Sequence, residues 1–497
     1  MLRQVQNDKA DSTNSRMGKM RIAIAALAAV VALGCTGGST TGTGGGSATG
    51  GGTGTGGGTG TGGGTGLGGG SATDAGPVDL DFAVVRFNSN GTLDTTYGDG
   101  GIARIDLGAG AGTVRDTLWT MAKDSTDRMV LFGSTKATGR ADSDRVVFRL
   151  TTTGALDTTF ATNGVNTLDI GNFSDNPRSG MVQPDGKIVS TGYTAQPSGV
   201  GTQSAARVVI QRLDSTGQRD VTFGDGGIVN SAPYAKTDGG EWGNAESYTV
   251  ALQTNRYISA GYGRSAPSGP VNQIAFRYSS SGVLDPTWGV DGNFEFDLVG
   301  FDERARNMLV LPDDRVLLVG SGTPTSGAVD ALATMLTPNG ALDLTFNTTG
   351  YKLWNFTRPD EAFSGVAVSP LGNVVGAVGY RAGGGEDDDS LLLLLPIAAG
   401  APAEFAGPMP TSETTNDRFW SVAFDTTGKA VAAGFVVEAG DSKMVVARFN
   451  ADGTRDTSFG TAGIAIVNVS VGNTDETARA VVIQSDGKIV IAGHADH

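Results

Sequence analysis

Apolar, β-branched runs such as Lys187-Ile188-Val189 and Arg315-Val316-Leu317-Leu318-Val319 recur along the chain, each entered through a polar turn. Such runs predict strands. The clearest copy, Gln484-Ser485-Asp486-Gly487-Lys488-Ile489-Val490-Ile491-Ala492-Gly493, reads as two strands around a tight turn. Copies end in Gly133, Gly192, Gly261, Gly320, Gly379, Gly434 and Gly493. Most of these glycines lie about 59 residues apart, the mark of a repeat architecture. Six positions before each terminal glycine stands Asp127, Gly186, Asn255, Asp314, Asn373, Gly428 or Gly487. All are residues that tolerate positive φ. Two-residue hairpin turns need that conformation, so each copy is expected to be one such hairpin.

A second motif alternates with the first. Phe82-Ala83-Val84-Val85-Arg86-Phe87 is a predicted strand, Asn88-Ser89-Asn90-Gly91 its turn, and Leu93-Asp94-Thr95-Thr96-Tyr97-Gly98 follows. The Arg, the Gly, the Asp and the aromatic keep one spacing at Arg149/Gly154/Asp157/Phe160, Arg212/Gly217/Asp220/Phe223, Arg277/Gly282/Asp285/Trp288 and Arg448/Gly453/Asp456/Phe459. Met335/Gly340/Asp343/Phe346 keeps the frame without the Arg, and Leu391-Leu392-Leu393-Leu394-Leu395 supplies the strand of a degenerate sixth unit. The joint recurrence predicts that each Arg pairs with its Asp, leaving Asp343 without that partner. Each Asp (Asp94, Asp157, Asp220, Asp285, Asp343, Asp456) is expected to accept hydrogen bonds from amides of its own turn. A Ca²⁺ role, through carboxylate and loop carbonyls, is the alternative.

These motifs closely resemble the delta-60 repeat family of bacterial proteins, whose units read like Leu-Asp-x-Thr-Phe-Gly and Gln-x-Asp-Gly-Lys-Ile-Val-x-Ala-Gly. The resemblance spans roughly residues 80 to 497 and implies a β-propeller with no established catalytic activity. The sixth unit departs most, lacking the Asp-x-Thr-Phe-Gly element. The repeats open with the second motif (Asp81 to Gly98) and finish with the first (Ala478 to Gly493), so one unit is split across the chain. The expected fold is all-β: a seven-bladed β-propeller over residues 78–497, closed by pairing the N-terminal strand with the C-terminal hairpin. An open solenoid would need polar caps instead.

The first residues suggest an address. Lys19 and Arg21 precede the apolar run Ile22 to Leu33, which suits a signal-peptide core better than a membrane span. Met17 or Met20 is an alternative start. Cys35, the single cysteine, stands where lipoprotein signals resemble one another in placing the lipidated residue, although Ala32 and Leu33 depart from that pattern. Residues 1–35 therefore read as a lipoprotein signal peptide, with secretion and an unmodified cysteine as the alternative. Acylation there would anchor the chain to a membrane. Thr36 in place of the Asp that often retains lipoproteins at the inner membrane favours the outer membrane, facing either side. Residues 36–77, almost pure Gly, Thr and Ser, are an expected disordered tether reaching roughly 35 Å.

Composition narrows the partners. The formal charge is -15, with pI near 4.6 and no basic cluster, which argues against nucleic acid. The two histidines, His494 and His497, make a His-based triad or a His/Cys zinc site a poor fit. His494 is expected to be a frayed surface residue. Glu386-Asp387-Asp388-Asp389 reads as a solvated acidic loop rather than a cation site. No cofactor or metal is assigned. The expected function is a non-catalytic, monomeric binding or scaffold propeller at the cell envelope, with an envelope protein or glycan as partner. The alternatives are a carbohydrate-active propeller enzyme at the cell surface and a structural surface component.

Overall fold

The computed structural model describes residues 79–496 apart from 109–115, 137–141, 172, 198–203, 233–243, 265–269, 299, 326–327, 398–402, 471 and 473. The signal segment, Cys35, the 36–77 tether and His497 lie outside the described residues. All elements described belong to the compact unit Gly68–His497. Among the described residues there is no helix, and 28 strands follow in chain order.

Antiparallel sheets succeed one another along the chain. β3 (Thr117–Lys123), β4 (Met129–Thr135), β5 (Asp144–Leu150) and β6 (Val165–Leu168) form one. β7 (Asp175–Val182), β8 (Ile188–Pro197), β9 (Ser204–Leu213) and β10 (Ile228–Ser231) form the next, then β11 (Asn244–Gln253), β12 (Arg256–Arg264), β13 (Asn272–Tyr278) and β14 (Asn293–Phe296). After them come β15 (Glu303–Val310), β16 (Val316–Thr325), β17 (Ala328–Leu336) and β18 (Tyr351–Trp354). β19 (Asp360–Val368), β20 (Val374–Ala382), β21 (Asp389–Pro396) and β22 (Phe405–Pro408) follow, joined to the preceding set only through one parallel pair, Val329 with Asp360. β23 (Asp417–Phe424), β24 (Ala430–Glu438), β25 (Asp441–Phe449) and β26 (Ile464–Val467) make another sheet. The remaining sheet draws on both ends of the repeats: β1 (Leu80–Phe87) and β2 (Ile102–Ile105) join β27 (Thr477–Ile483) and β28 (Ile489–Asp496) in the order β2-β1-β28-β27. Its register runs from Leu80 opposite Asp496 to Phe87 opposite Ile489.

Apolar side chains fill the spaces between sheets. Each buried cluster draws on two successive sheets, and Phe82, Val84, Val490 and Ala492 of the sheet shared by both ends pack against Leu118, Leu131 and Phe148 of the next. On its other face Val85, Ile489 and Ile491 meet Val431, Met444 and Val446. This alternation of sheet and apolar layer is the all-β, propeller-like architecture that the strand pattern predicts.

The hairpin turns differ in one respect from expectation. Five are three-residue loops, not two-residue ones: in Gln183 to Lys187, the Gly186 amide donates to the Gln183 carbonyl and the Gln183 amide to Lys187. That is a type I turn closed by one left-handed residue. Asp127, Gly186, Asp314, Gly428 and Gly487 are those residues, with φ between 60° and 85°. At Asn255 and Asn373 the expectation fails. The third hairpin is shorter, pairing Gln253 with Arg256, and its left-handed residue is Thr254. The fifth is longer, bonding Ser369 to Val374, and Gly372 takes that conformation.

The second motif is a clasp between units. Each Arg donates through Nε to the Asp eight residues on: Arg86 to Asp94 at 2.7 Å, Arg149 to Asp157 at 2.8 Å, Arg212 to Asp220 at 2.9 Å, Arg277 to Asp285 at 3.0 Å and Arg448 to Asp456 at 2.7 Å. The same guanidinium lies over the motif's aromatic, 4.5 Å from the Tyr97 centroid in the first copy. Its Nη1 reaches forward to a turn carbonyl of the next unit: Arg86 to Thr152, Arg149 to Ser215, Arg212 to Ser280. Arg448 Nη1 reaches Ser89 across 359 positions in sequence. Where Met335 replaces the Arg, Asp343 lacks that partner as expected and keeps a cation from the preceding hairpin, Arg315, as Asp157 keeps Arg128 beside Arg149.

The motif glycine completes the clasp. Gly217 has φ +87°, and a Cβ there would stand 2.6 Å from the Phe160 ring of the preceding unit. The degenerate sixth unit, whose leucines lie in β21 as expected, supplies an aromatic from elsewhere: Phe405 of β22 lies against Gly453.

Candidate functional site

The leading strands β3, β7, β11, β15, β19, β23 and β27 each break register once against their partners. The breaks fall between Leu118 and Thr120, Pro177 and Ser179, Ser247 and Thr249, Ala305 and Asn307, Phe363 and Gly365, Phe419 and Ser421, and Ala478 and Ala480. Each is a β-bulge, which adds one unpaired residue and re-aims its side chain. Those residues are Trp119, Arg178, Tyr248, Arg306, Ser364, Trp420 and Arg479.

Opposite every bulge stands one of the terminal glycines of the first motif, such as Phe419 opposite Gly434. A Cβ on Gly434 would lie 1.8 Å from the Arg418 carbonyl oxygen, and one on Gly493 would lie 1.7 Å from that of Thr477. These glycines do not have positive φ. They are needed because the bulge drives a carbonyl into the space a side chain would take. The most regular residue of the repeat is thus the one that makes room for the least regular.

The bulge residues converge where neighbouring leading strands pack, β27 against β3 included. Arg178 lies 3.8 Å from the Trp119 centroid and 4.9 Å from Tyr248. Arg306 lies 5.3 Å from Tyr248 and 5.6 Å from Tyr262. Arg479 bridges Trp119 at 5.7 Å and Trp420 at 4.4 Å. Arg418, one turn of the pleat away, stacks on Tyr380 at 4.0 Å. Cation–π contacts of this length hold a guanidinium by its face. Six bulge residues are large and one, Ser364, is small; it lies on β19 between Arg306 and Trp420, its carbonyl accepting from Asn307 Nδ2 at 3.3 Å.

Charge in this cluster is mainly positive. Arg304 pairs with Asp302 and Arg418 with Asp388. Arg178, Arg306 and Arg479 have no ion pair among the described residues. Burial pulls the Arg479 guanidinium down to about 10, so it remains charged at neutral pH. Burial also works against Arg178, yet the phenols of Tyr248 and Tyr193 and the carboxylate of Glu246 hold it above its usual value. Nε and Nη1 of Arg178, Nε of Arg479 and Nε1 of Trp420 are buried donors with no hydrogen-bond partner.

Three residues before the bulge, six units carry a buried acid: Asp116, Asp175, Glu303, Glu361, Asp417 and Glu476. The third unit has Ala245 there. Five of these acids, all but Glu303, tie down the crossover from the preceding sheet. Asp116 accepts from the Leu107 amide, Asp175 from Ile170, Glu361 from Phe356 and Arg358, and Glu476 from Val469. Burial, offset in part by such amides, pushes Asp116, Asp175 and Asp417 up to about 6 and Glu303 up to about 8. Glu361 and Glu476 shift the same way.

The residues singled out from sequence lie elsewhere. The repeated Asp side chains serve their own turns, as Asp94 does by accepting from the Thr96 amide at 3.1 Å and hydroxyl at 2.7 Å. Burial opposes their ionisation, but those bonds and the facing cation hold Asp94, Asp157, Asp220, Asp285 and Asp456 below the usual carboxylate range. The loop Glu386 to Asp389 is not simply solvated: Glu386 pairs with Arg358, Asp388 with Arg418, and Asp389 with Arg381. His494 is corrected from a frayed residue to a buried one within β28, opposite Phe82 and Thr477. Asp142, Asp144 and Asp169 do bring carboxylate oxygens within 4.8 Å of one another, outside either repeat motif. Two clefts, of about 710 and 480 Å³, lie on seams between neighbouring units and are lined by clasp residues such as Asn90 and Ser458, or Arg212 and Tyr257.

An all-β, propeller-like protein with a convergent arginine–aromatic cluster is the class that fold and site define. A family described as a domain of unknown function (DUF5122) beta-propeller, related to the delta-60 repeat, matches residues 67–97 and 427–459. No curated protein sequence matches the chain. Among solved structures it is similar to the β-propeller domain of the Trilobed protease from Pyrococcus furiosus, at 9% identity and TM-score 0.35 over 67% of this chain and 80% of that one. It is also similar to the α-L-arabinofuranosidase Arb93A from Fusarium graminearum, at 9% identity and TM-score 0.40 over 85% and 98%. A third is a PL25 ulvan lyase, at 10% identity and TM-score 0.35 over 72% and 78%.

Proposed function

We propose that this chain is a non-catalytic recognition module: a closed, seven-bladed propeller that binds its partner where the bulge residues meet. The observation that carries the reading is the convergence of Trp119, Arg178, Tyr248, Arg306, Trp420 and Arg479, with buried donors still unpaired. Guanidiniums and indoles, which bind well but supply no nucleophile or general base, make up most of the cluster, and the Tyr248 phenol is engaged with Tyr262. The pairing of β1 with β28 and the clasp from Arg448 to Ser89 support closure. Seven sets of four strands and one bulge on each of seven leading strands support seven blades.

The setting we propose is the cell envelope, with lipidated Cys35 as anchor at the outer membrane and residues 36–77 as tether. Labelling cells with radioactive palmitate tests the anchor: label should enter the wild-type protein and be absent from Cys35→Ser. Equal labelling of both removes that part of the reading. Recognition is tested by screening the full-length protein against glycans and envelope extracts, with and without Ca²⁺. Saturable binding without turnover is expected, and release of sugars would overturn it.

A further inference from the structure

We infer that the bulge cluster holds a multivalent oxyanion, through its carboxylate, sulfate or phosphate groups, admitted beside Ser364. The inference rests on the recognition reading above and specifies its ligand chemistry. The unpaired buried atoms of the bulge residues, Arg178 Nε and Nη1, Arg479 Nε and Trp420 Nε1, are all donors. Arginine and indole nitrogens cannot accept, so their complement must be an acceptor. A guanidinium stacked by its face keeps its N–H edge available, and that edge matches the two oxygens of an oxyanion.

Charge points the same way. On a chain of formal charge -15, Arg178, Arg306 and Arg479 gather without an ion pair among the described residues. The acids that face them, Glu246 beside Arg178 and Asp475 toward Arg479, act from beyond contact distance. A cationic ligand would be repelled by all three arginines. A neutral one could accept from their edges but would leave three positive charges uncompensated. Ser364 is the single small bulge residue, so the notch between Arg306 and Trp420 is the place where a ligand meets the arginine edges.

Calorimetric titration of the full-length protein tests this with citrate, pyrophosphate, an oligogalacturonate, a sulfated oligosaccharide and a neutral cello-oligosaccharide. At least one anionic probe should bind one site per chain. Its affinity should fall by about tenfold or more in both Arg306→Gln and Arg479→Gln, as expected when one partner of a buried charge contact is removed. Ser364→Trp should abolish binding while the melting temperature stays that of the wild type. If that variant does not fold, the two Gln variants carry the test. Equal affinity for small anions and saccharides identifies a free anion as ligand; tighter binding of one saccharide identifies its carboxylate or sulfate as the group read. Failure of every anionic probe, or unchanged binding in the Gln variants, overturns the oxyanion. If the neutral saccharide or an envelope protein then binds wild type but not Ser364→Trp, recognition at the notch survives without it. Absence of any binding overturns both.

Discussion

At the scale of single residues, the terminal glycines decide what the repeat can present. Without positive φ, their value lies in absent volume. Gly434→Ala would set a methyl 1.8 Å from the Arg418 carbonyl and must flatten the bulge or separate the strands. A loss of about 1–3 kcal/mol is expected, the usual cost of overpacking. Gly407→Ala, whose Cβ would meet nothing closer than 3.9 Å, is the control and should change stability little. Urea unfolding of the two variants distinguishes them; equal midpoints would mean that the bulges yield freely. The glycines were legible in sequence as a repeat, but their reason was not, because the carbonyl they accommodate comes from the facing strand. The bulge residues were illegible: Trp, Arg, Tyr, Arg, Ser, Trp and Arg share no side-chain chemistry that a motif could register. A signal was present in their position. Each stands fourteen residues before its glycine, except Tyr248 at thirteen, where the turn is one residue shorter, and Ser364 at fifteen, where it is one longer.

At the scale of elements, the clasp was almost wholly readable, since a fixed spacing of Arg, Gly, Asp and aromatic demands contacts among them. What the spacing hid was direction. The Arg and Asp serve one unit, while the guanidinium Nη1 and the aromatic serve the next. Side chains of Arg149 and Asp157 are 6% and 8% exposed, so solvent compensates little for a lost partner, though Arg128 also faces the carboxylate. Arg149→Met should therefore destabilise by about 1–3 kcal/mol, below the figure for a deeply buried pair because a second cation remains. Arg219→Met on the exposed surface should be near neutral. Identical melting temperatures for the two would reject the clasp. The acidic loop before β21 was misread for a related reason: its arginine partners, Arg358, Arg381 and Arg418, come from three separate strands or loops that local sequence does not connect.

At the scale of the whole molecule, two sets of carboxylates set opposing pH dependences. Those of the clasps have folded values below their unfolded ones, so their stabilisation is present above about pH 4 and is lost as pH falls further. The crossover acids are raised, to about 6 for Asp116, Asp175 and Asp417 and about 8 for Glu303. Their folded state prefers the proton, so stability declines as pH rises from about 4 to about 8. Thermal melts should peak at about pH 4–5 and fall toward pH 8, with Glu303→Gln flattening the upper part of the decline. A melting temperature that climbs steadily from pH 5 to 8 would contradict the assignment. β1 pairs with β28, and Ser89 accepts from Arg448 across 359 positions. A ribosome adding roughly 5–20 residues per second needs about 20–70 seconds to cover that distance. Throughout that interval β1 can pair with β2 on one side, while the edge that will meet β28 stays open. Every newly made copy must therefore be kept from pairing with its neighbours until its own last hairpin arrives.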